Sequence, residues 1–286
     1  MIRTGVITDE LWELIEPVLP SDKGRRGRRW RDHRQVLEAI AWRFRTGAPW
    51  RDVPAEFGPW QTLWKRHRRW SGDGTYQLIF EHALAGQDGA GKLDWLVPAD
   101  STIVRAHQHS AGAPAASRTG AGPNDKIPEP GDHGIGRSRG GLTTKVHALA
   151  GAGIHPVALL LSAGQAGDNP RLVPLLDALA QAGYRPAHLL ADKAYSHPST
   201  GRELRRRRIR HTIPERCDQV QRRKDKGSAG GRPPQFDPGL YKERNTVERG
   251  FGRLKQWRGI ATRYDKYART YLGGVLLAAT VILARP

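Results

Sequence analysis

The chain's 286 residues are enough for one large domain or two, each able to bury its own core. Its 47 Lys and Arg against 28 Asp and Glu leave a formal charge of +19, which points to a polyanionic partner, nucleic acid above all. The single cysteine, Cys217, excludes a disulfide framework and a Cys-based zinc site, and Asp9, Glu10, Glu13 and Glu16 interrupt the apolar core that a signal peptide would need.

Thr8 can cap a first helix whose apolar side is Leu11, Trp12, Ile15, Val18 and Leu19, and Pro20 ends it. Residues 21–31 (SDKGRRGRRWR) form an aperiodic basic arm, with Arg28 and Arg29 available to phosphates or the minor groove. A second helix over 34–45 packs Val36, Leu37, Ile40, Ala41 and Phe44 and stops at Gly47. Residues 49–58 (PWRDVPAEFG) open on Pro and close on Gly, and 59–70 (PWQTLWKRHRRW) repeat the opening. Short helix, Gly turn and basic helix is the order of a helix-turn-helix, with Thr62, Lys65, Arg66, Arg68 and Arg69 available to DNA. Seven of the nine Trp lie in the first 70 residues, so most belong to a core; Trp64 and Trp70 are the candidates for DNA contact. A helix over 76–84 and a linker at 86–91 (GQDGAG) would close an all-α DNA-binding domain at residues 1–87.

From residue 88 short apolar runs alternate with helical patterns, which argues for an α/β domain to residue 286. Residues 99–106 (ADSTIVRA) suit a strand, with Pro98 tolerable only at its first position. A long flexible loop is expected at 107–139, a hairpin from 141–150 and 154–162, and a helix over 169–182. A short buried strand at 188–192 (HLLAD) precedes an Arg-rich helix and a strand near 210–214. Residues 218–238 are charged and rich in Gly and Pro, so disorder or ordering by substrate is expected. The apolar run 272–284 is too short for a bilayer and reads as a buried helix; the chain is expected to be soluble and cytoplasmic. Three strands, helix, strand, helix, strand and helices is the order of a ribonuclease-H-like fold, a mixed sheet flanked by helices.

Residues 241–255 (YKERNTVERGFGRLK) carry the chemistry. At roughly 100° per residue, Tyr241, Arg244, Glu248 and Lys255 fall in an arc of about 60°, beside an apolar stripe of Val247, Phe251 and Leu254. An ordinary amphipathic helix would show paired charges at such spacings. Here, however, Asp100 lies early in the first strand and Asp192 at the carboxyl end of a later one, where open α/β sheets present functional groups. Carboxylates gathered at one place repel unless a cation neutralises them, and the cations suited to an all-oxygen set are Mg2+ and Mn2+. Two such ions can activate an attacking oxygen and stabilise a leaving one in phosphodiester displacement.

The motifs DSTIVRAHQHSAG from Asp100, LLADKAYS around Asp192, and the Tyr241, Arg244, Glu248, Lys255 ladder resemble DDE transposases of bacterial insertion sequences, group five, over essentially the whole chain. The resemblance implies that Asp100, Asp192 and Glu248 are the catalytic, metal-holding acids. It implies that Arg244 and Lys255 grip phosphates near the scissile bond and that Tyr241 packs beside it. It implies recognition of terminal inverted repeats by the N-terminal region, cleavage, transfer of the freed 3′-hydroxyl into double-stranded target DNA, and a dimer or higher assembly on paired ends. Ala194 stands where many relatives have Gly.

His107 and His109 have zinc-like spacing but no second pair, so they read as loop or DNA-contacting residues. Gly134, Gly136, Gly140 and Gly141 lack the Lys-Ser/Thr of a phosphate loop. Gln165 and Asp168 fall near the proposed site, in positions suited to turns and caps. Two other functions fit the same residues: a metal-dependent endonuclease without strand transfer, and a transposase-derived DNA-binding protein that no longer cuts.

Overall fold

The structure is a computed structural model and describes residues 5–21, 23, 29–113, 125–151 and 154–284. Arg28 and part of the basic arm lie outside the described residues. The N-terminal region is helical: α1 (Asp9–Ile15), α2 (His33–Thr46), α3 (Trp60–Asp73) and α4 (Thr75–Gly89). Thr8 and Asp32 cap α1 and α2 by accepting backbone N–H bonds from Leu11 and Gln35, and Gly47 ends α2 at φ 74°, a conformation costly for any other residue. The short helix expected before Gly58 is instead two 3-10 turns, Trp50–Asp52 and Ala55–Phe57, because Pro49 and Pro54 each restart the chain within five residues. Helix α4 also runs through most of the expected linker, to Gly89. Ala83 and Leu84 anchor it in the core, and Asp88 accepts the indole N–H of Trp95.

The sheet follows with β1 (Leu96–Ala106), a turn of helix α5 (Gln108–Ala111), β2 (Gly136–Ser138), β3 (Gly141–Ala150) and β4 (Pro156–Ala163). Helix α6 (Asn169–Gln181), β5 (His188–Ala191), α7 (Pro198–Arg206), β6 (Arg210–Thr212) and α8 (Cys217–Asp225) come next. The chain closes with α9 (Pro238–Tyr241), α10 (Asn245–Lys255), α11 (Arg258–Ala261), β7 (Thr262–Arg263) and α12 (Ala268–Leu283). Strand β3 runs antiparallel to β1, β2 and β4, while β5 lies parallel to β1 and β6 parallel to β5. This is the mixed sheet foreseen, with β6 at one edge.

Pro98 sits third in β1 rather than first. The Trp95 carbonyl accepts from Ala187 and His188 on the β5 side, so alternation turns the Pro98 nitrogen toward β3, where the ladder begins only at Ala99. Two stretches expected to be loose are also built. Within 125–139, the backbone N–H groups of Lys126 and Ile127 bond to the Gly72 carbonyl, and Glu129 accepts from the N–H groups of Ala268 and Arg269 at the start of α12. Within 218–238, α8 forms yet buries no residue, so its ion pairs and local helix propensity stand in for an apolar stripe.

The core is continuous. Val36, Leu37, Ile40 and Phe44 of α2, Leu63 and Trp70 of α3 and Ile79 and Phe80 of α4 belong to the same buried cluster as Tyr271, Val275 and Leu277 of α12 and the sheet residues Val97, Ala99 and Leu189. Helix α12 packs against α2, α3, α4 and β4, so the last helix of the chain completes the core of the first four. Among the described residues, no helix is long and apolar enough to cross a membrane.

Candidate active site

Two acids are placed by strand register. The parallel ladder of β1 and β5 ends at Ala99 opposite Ala191, so Asp100 and Asp192 occupy the next matched positions on neighbouring strands. Neighbouring strands lie about 4.8 Å apart, so the two carboxylates share one face of the sheet at the point where β5 ends and β1 continues. Each is held by a short local bond: Asp100 Oδ1 accepts from Ser101 N at 2.7 Å, and Asp192 Oδ1 from Ala194 N at 2.8 Å. Burial raises the Asp100 carboxyl above its usual range and the charge of Asp192 pushes in the same direction, while the Ser101 N–H and Arg244 oppose. A cation bound beside the two carboxylates would favour their charged forms.

The third acid comes from the segment that crosses the sheet. Asp237 caps α9 by accepting from Gly239 and Leu240, a 3-10 turn at Lys242–Arg244 follows, and α10 begins at Asn245, so the single helix expected over 241–255 is a helical path in three pieces. The path keeps the expected faces: Val247, Phe251 and Leu254 are buried, and Glu248 is exposed. Arg244 bridges the two elements, donating from Nη1 to Asp100 Oδ2 at 2.7 Å and from Nη2 to Glu248 Oε1. The Tyr241 ring lies under the guanidinium, 5.9 Å from its centre.

So Asp100, Asp192, Arg244, Glu248 and Tyr241 come together. Lys255 lies further along β1, its ammonium donating to the Ile103 carbonyl at 3.0 Å and lowered in pKa by burial. Among the described residues, no three His, Cys, Asp or Glu side chains converge as a metal-binding group, and the Arg244 guanidinium stands between Asp100 and Glu248. The donor chemistry nevertheless fits a hard divalent cation. All the ligand atoms would be carboxylate oxygens, and two of the three acids already sit side by side.

The N-terminal candidates lie on other elements. Lys65, Arg68 and Arg69 are exposed on α3, and Arg29 is exposed ahead of α2. Arg66 is not available to DNA: it is buried, bonds to His33 Nδ1 at 2.8 Å, and lies 4.1 Å from the Trp30 ring centre. Trp70 is fully buried and so is no DNA contact either. His107 and His109 stack on each other, and His107 Nδ1 accepts the His109 N–H, capping α5.

Sequence reasoning missed what stands behind Asp100. Asp168 occupies the N-cap position of α6 but makes no capping bond. It accepts instead from Ser101 Oγ at 2.7 Å and Lys145 Nζ at 2.9 Å, with His147 Nδ1 at 3.7 Å. His147 is fully buried, bonds to Ser162 Oγ, and is lowered to about 4, first by burial. Ser101 and Asp100 point to opposite faces of β1, so α6 and the segment carrying Arg244 cover the strand from both sides. The cross-strand pairing of Ser101 with His147 creates this cluster, and only the register reveals it. The Gln165 side-chain amide packs against Gly136 and would have to move to admit a side chain there.

A mixed sheet of this order, with acids at matched strand positions and a helix across them, defines a ribonuclease-H-like domain. Comparison with known families agrees: residues 91–283 match the family described as transposase DDE domain, and residues 7–80 the family described as putative transposase of the IS4/5 family. The chain belongs to the DDE transposases, of the IS4/5-like type. It is 32% identical over 144 residues to a putative transposase for insertion sequence element IS6501 of Brucella ovis, covering 50% of this chain and 100% of that protein. It is 41% identical over 108 residues to an uncharacterized 16.2 kDa protein of insertion element IS402 from Burkholderia cepacia, covering 35% and 74%. An uncharacterized protein of Sinorhizobium fredii is 40% identical over 108 residues, covering 37% and 82%. The family implies DNA as substrate, nuclease or transposase chemistry, and dependence on a divalent metal ion.

Proposed function

We propose that the chain binds the terminal inverted repeats of its insertion sequence, cuts the strand at each end and joins the freed 3′-hydroxyl to target DNA. The observation that carries this reading is the matched register of Asp100 in β1 and Asp192 just past the end of β5, with Arg244 linking Asp100 to Glu248. Asp100 and Asp192 would hold Mg2+ or Mn2+, and Glu248 would join them once Arg244 releases it. When bound, two such ions supply the charge that activates the attacking oxygen and stabilises the leaving one.

The chain's own residues do the rest. Arg244 carries the positive charge between Asp100 and Glu248 in the absence of DNA; a phosphate at the site competes for its guanidinium, which frees both acids as the substrate arrives. Tyr241 supports the guanidinium from below. Asp168, Lys145 and Ser101 fix β1 where Asp100 emerges. Residues 1–87 serve DNA recognition and 88–286 catalysis, with Arg29, Lys65, Arg68 and Arg69 on phosphates or base edges, Lys255 on a phosphate near the scissile bond, and at least a dimer assembled on paired ends. Because α12 fills the core beneath α2, α3 and α4, deleting residues 1–87 would strip that core, so substitutions on α3 test recognition more cleanly.

The deciding experiment is strand transfer on DNA carrying the element's own ends, in Mg2+, for the unaltered chain and Asp192→Asn. Joining that is lost with the substitution and with chelator supports the proposal. Cutting without joining makes the chain an endonuclease, and specific binding without either, in Mg2+ and Mn2+ alike, makes it a DNA-binding protein only.

A further inference from the structure

Beyond the acids, the β6 edge of the sheet opens into a cleft between α7, β6 and the segment leading into α9. Arg202, Arg205, Arg208, Arg210 and Arg232 line it, all exposed. Their arginine neighbours are engaged: Arg206 and Arg207 pair with Glu203, Arg207 also with Asp177, and Arg223 with Glu215. No ion pair joins the five lining arginines to a carboxylate among the described residues. The two acids in the lining are occupied elsewhere, Glu215 by Arg223 and Asp237 as the cap of α9. The cleft thus presents uncompensated positive charge, and it reaches the turn after Asp192 through Tyr195, Ser196 and His197.

One of the five is held there against backbone preference. Arg207 is the C-cap of α7, the N–H of Arg208 bonds to the Arg205 carbonyl and that of Ile209 to the Leu204 carbonyl, a helix-ending motif whose next residue is usually glycine. Arg208 occupies that position at φ 56°. A charged edge strand also discourages sheet-to-sheet pairing, but that role needs no strained arginine and no cleft.

We propose that this cleft is a second DNA-binding track, separate from α3, in which the five arginines hold the phosphate backbone of a duplex running past the acids. It rests on the transposase reading for its substrate. The lining has no exposed Phe, Tyr or Trp ring for base stacking, and His197 is its one exposed imidazole, which favours duplex phosphates over a single strand.

The test is the salt dependence of binding to a duplex lacking the element's ends, read by fluorescence anisotropy with the full chain. Each phosphate contact contributes about 0.9 to the slope of log affinity against log salt, so Arg205→Gln/Arg208→Gly/Arg210→Gln should lower it by roughly 2 to 3. Arg208→Gly alone should lower it by about 1 while the melting temperature stays level or rises, since glycine relieves the positive φ. Arg206→Gln removes the same charge from the same helix but outside the cleft, and should leave the slope unchanged. An unchanged slope in the triple variant, or an equal fall with Arg206→Gln, overturns the proposal. If the unaltered chain neither cuts nor joins yet the slopes behave as stated, the track stands and the strand-transfer reading falls; if it joins DNA and the slopes do not move, the track alone falls.

Discussion

Arginine and carboxylate meet in two regions of this molecule under opposite conditions. At the seam between the N-terminal helices and the C-terminal part, Arg43 Nη1 bonds to Asp265 Oδ2 at 2.7 Å with side chains 4% and 2% exposed. Beside it the ring of neutral His67 accepts from the Tyr76 hydroxyl and donates to the Thr270 carbonyl. At the acid site, Arg244 and Asp100 meet at the same 2.7 Å with side chains 20% and 21% exposed, and Glu248 is half in solvent. Removing one partner at the seam strands a buried charge, whereas water or phosphate can replace either partner at the acid site. One chemical pair therefore fastens the fold in the first region and reserves a ligand-binding position in the second.

The largest expected effect sharpens this contrast. Asp100→Asn should lower strand cleavage at least about a thousandfold in a metal-dependent assay, with an unchanged thermal transition. Loss of folding instead would assign Asp100 to the structure. Asp265→Ala should do the opposite, destabilising by about 3–5 kcal/mol in denaturant titration because Arg43 is left buried and unpaired. A cost below about 1 kcal/mol would break the comparison.

The pH dependence follows from His67. Burial holds its imidazole at about 4 against 6.5 in the unfolded chain. Between those values the unfolded chain binds a proton that the folded chain refuses, so stability present above pH 6.5 is lost as pH falls toward 4, on the order of 3 kcal/mol. His147 is lowered to about 4 in the same way, so His67→Gln should remove roughly half of this acid limb in unfolding titrations at pH 7 and pH 4.5. Gly274→Ala comes next, since an added methyl would overlap the Phe44 ring across the seam, and should cost about 1–3 kcal/mol by thermal denaturation. The smallest effect belongs to Arg244→Ala, which should change stability by less than about 1 kcal/mol while reducing cleavage.

Local signals made much of the site legible. The stripe of Val247, Phe251 and Leu254 settled which side of the crossing segment is buried, and therefore that Glu248 faces out. The apolar runs around Asp100 and before Asp192 marked the first as an acid within a strand and the second as an acid at a strand end. What escaped was set by pairing across the chain. Asp168 looks like a cap until the register brings Ser101 and His147 opposite each other. Arg66 looks like a DNA contact until Trp30, His33 and Trp70 close around it. Helix α8 has no buried face and so no periodicity to read.

The way α12 completes the core under α2, α3 and α4 bears on the order of events at the ribosome. A nascent chain that has released its first 90 residues has made the N-terminal helices but not the surface on which they close. Those helices reach their final packing only after the last turn of α12 leaves the exit tunnel. The N-terminal helices and the sheet therefore reach their final packing together, and a chain halted before α12 lacks part of the core of both.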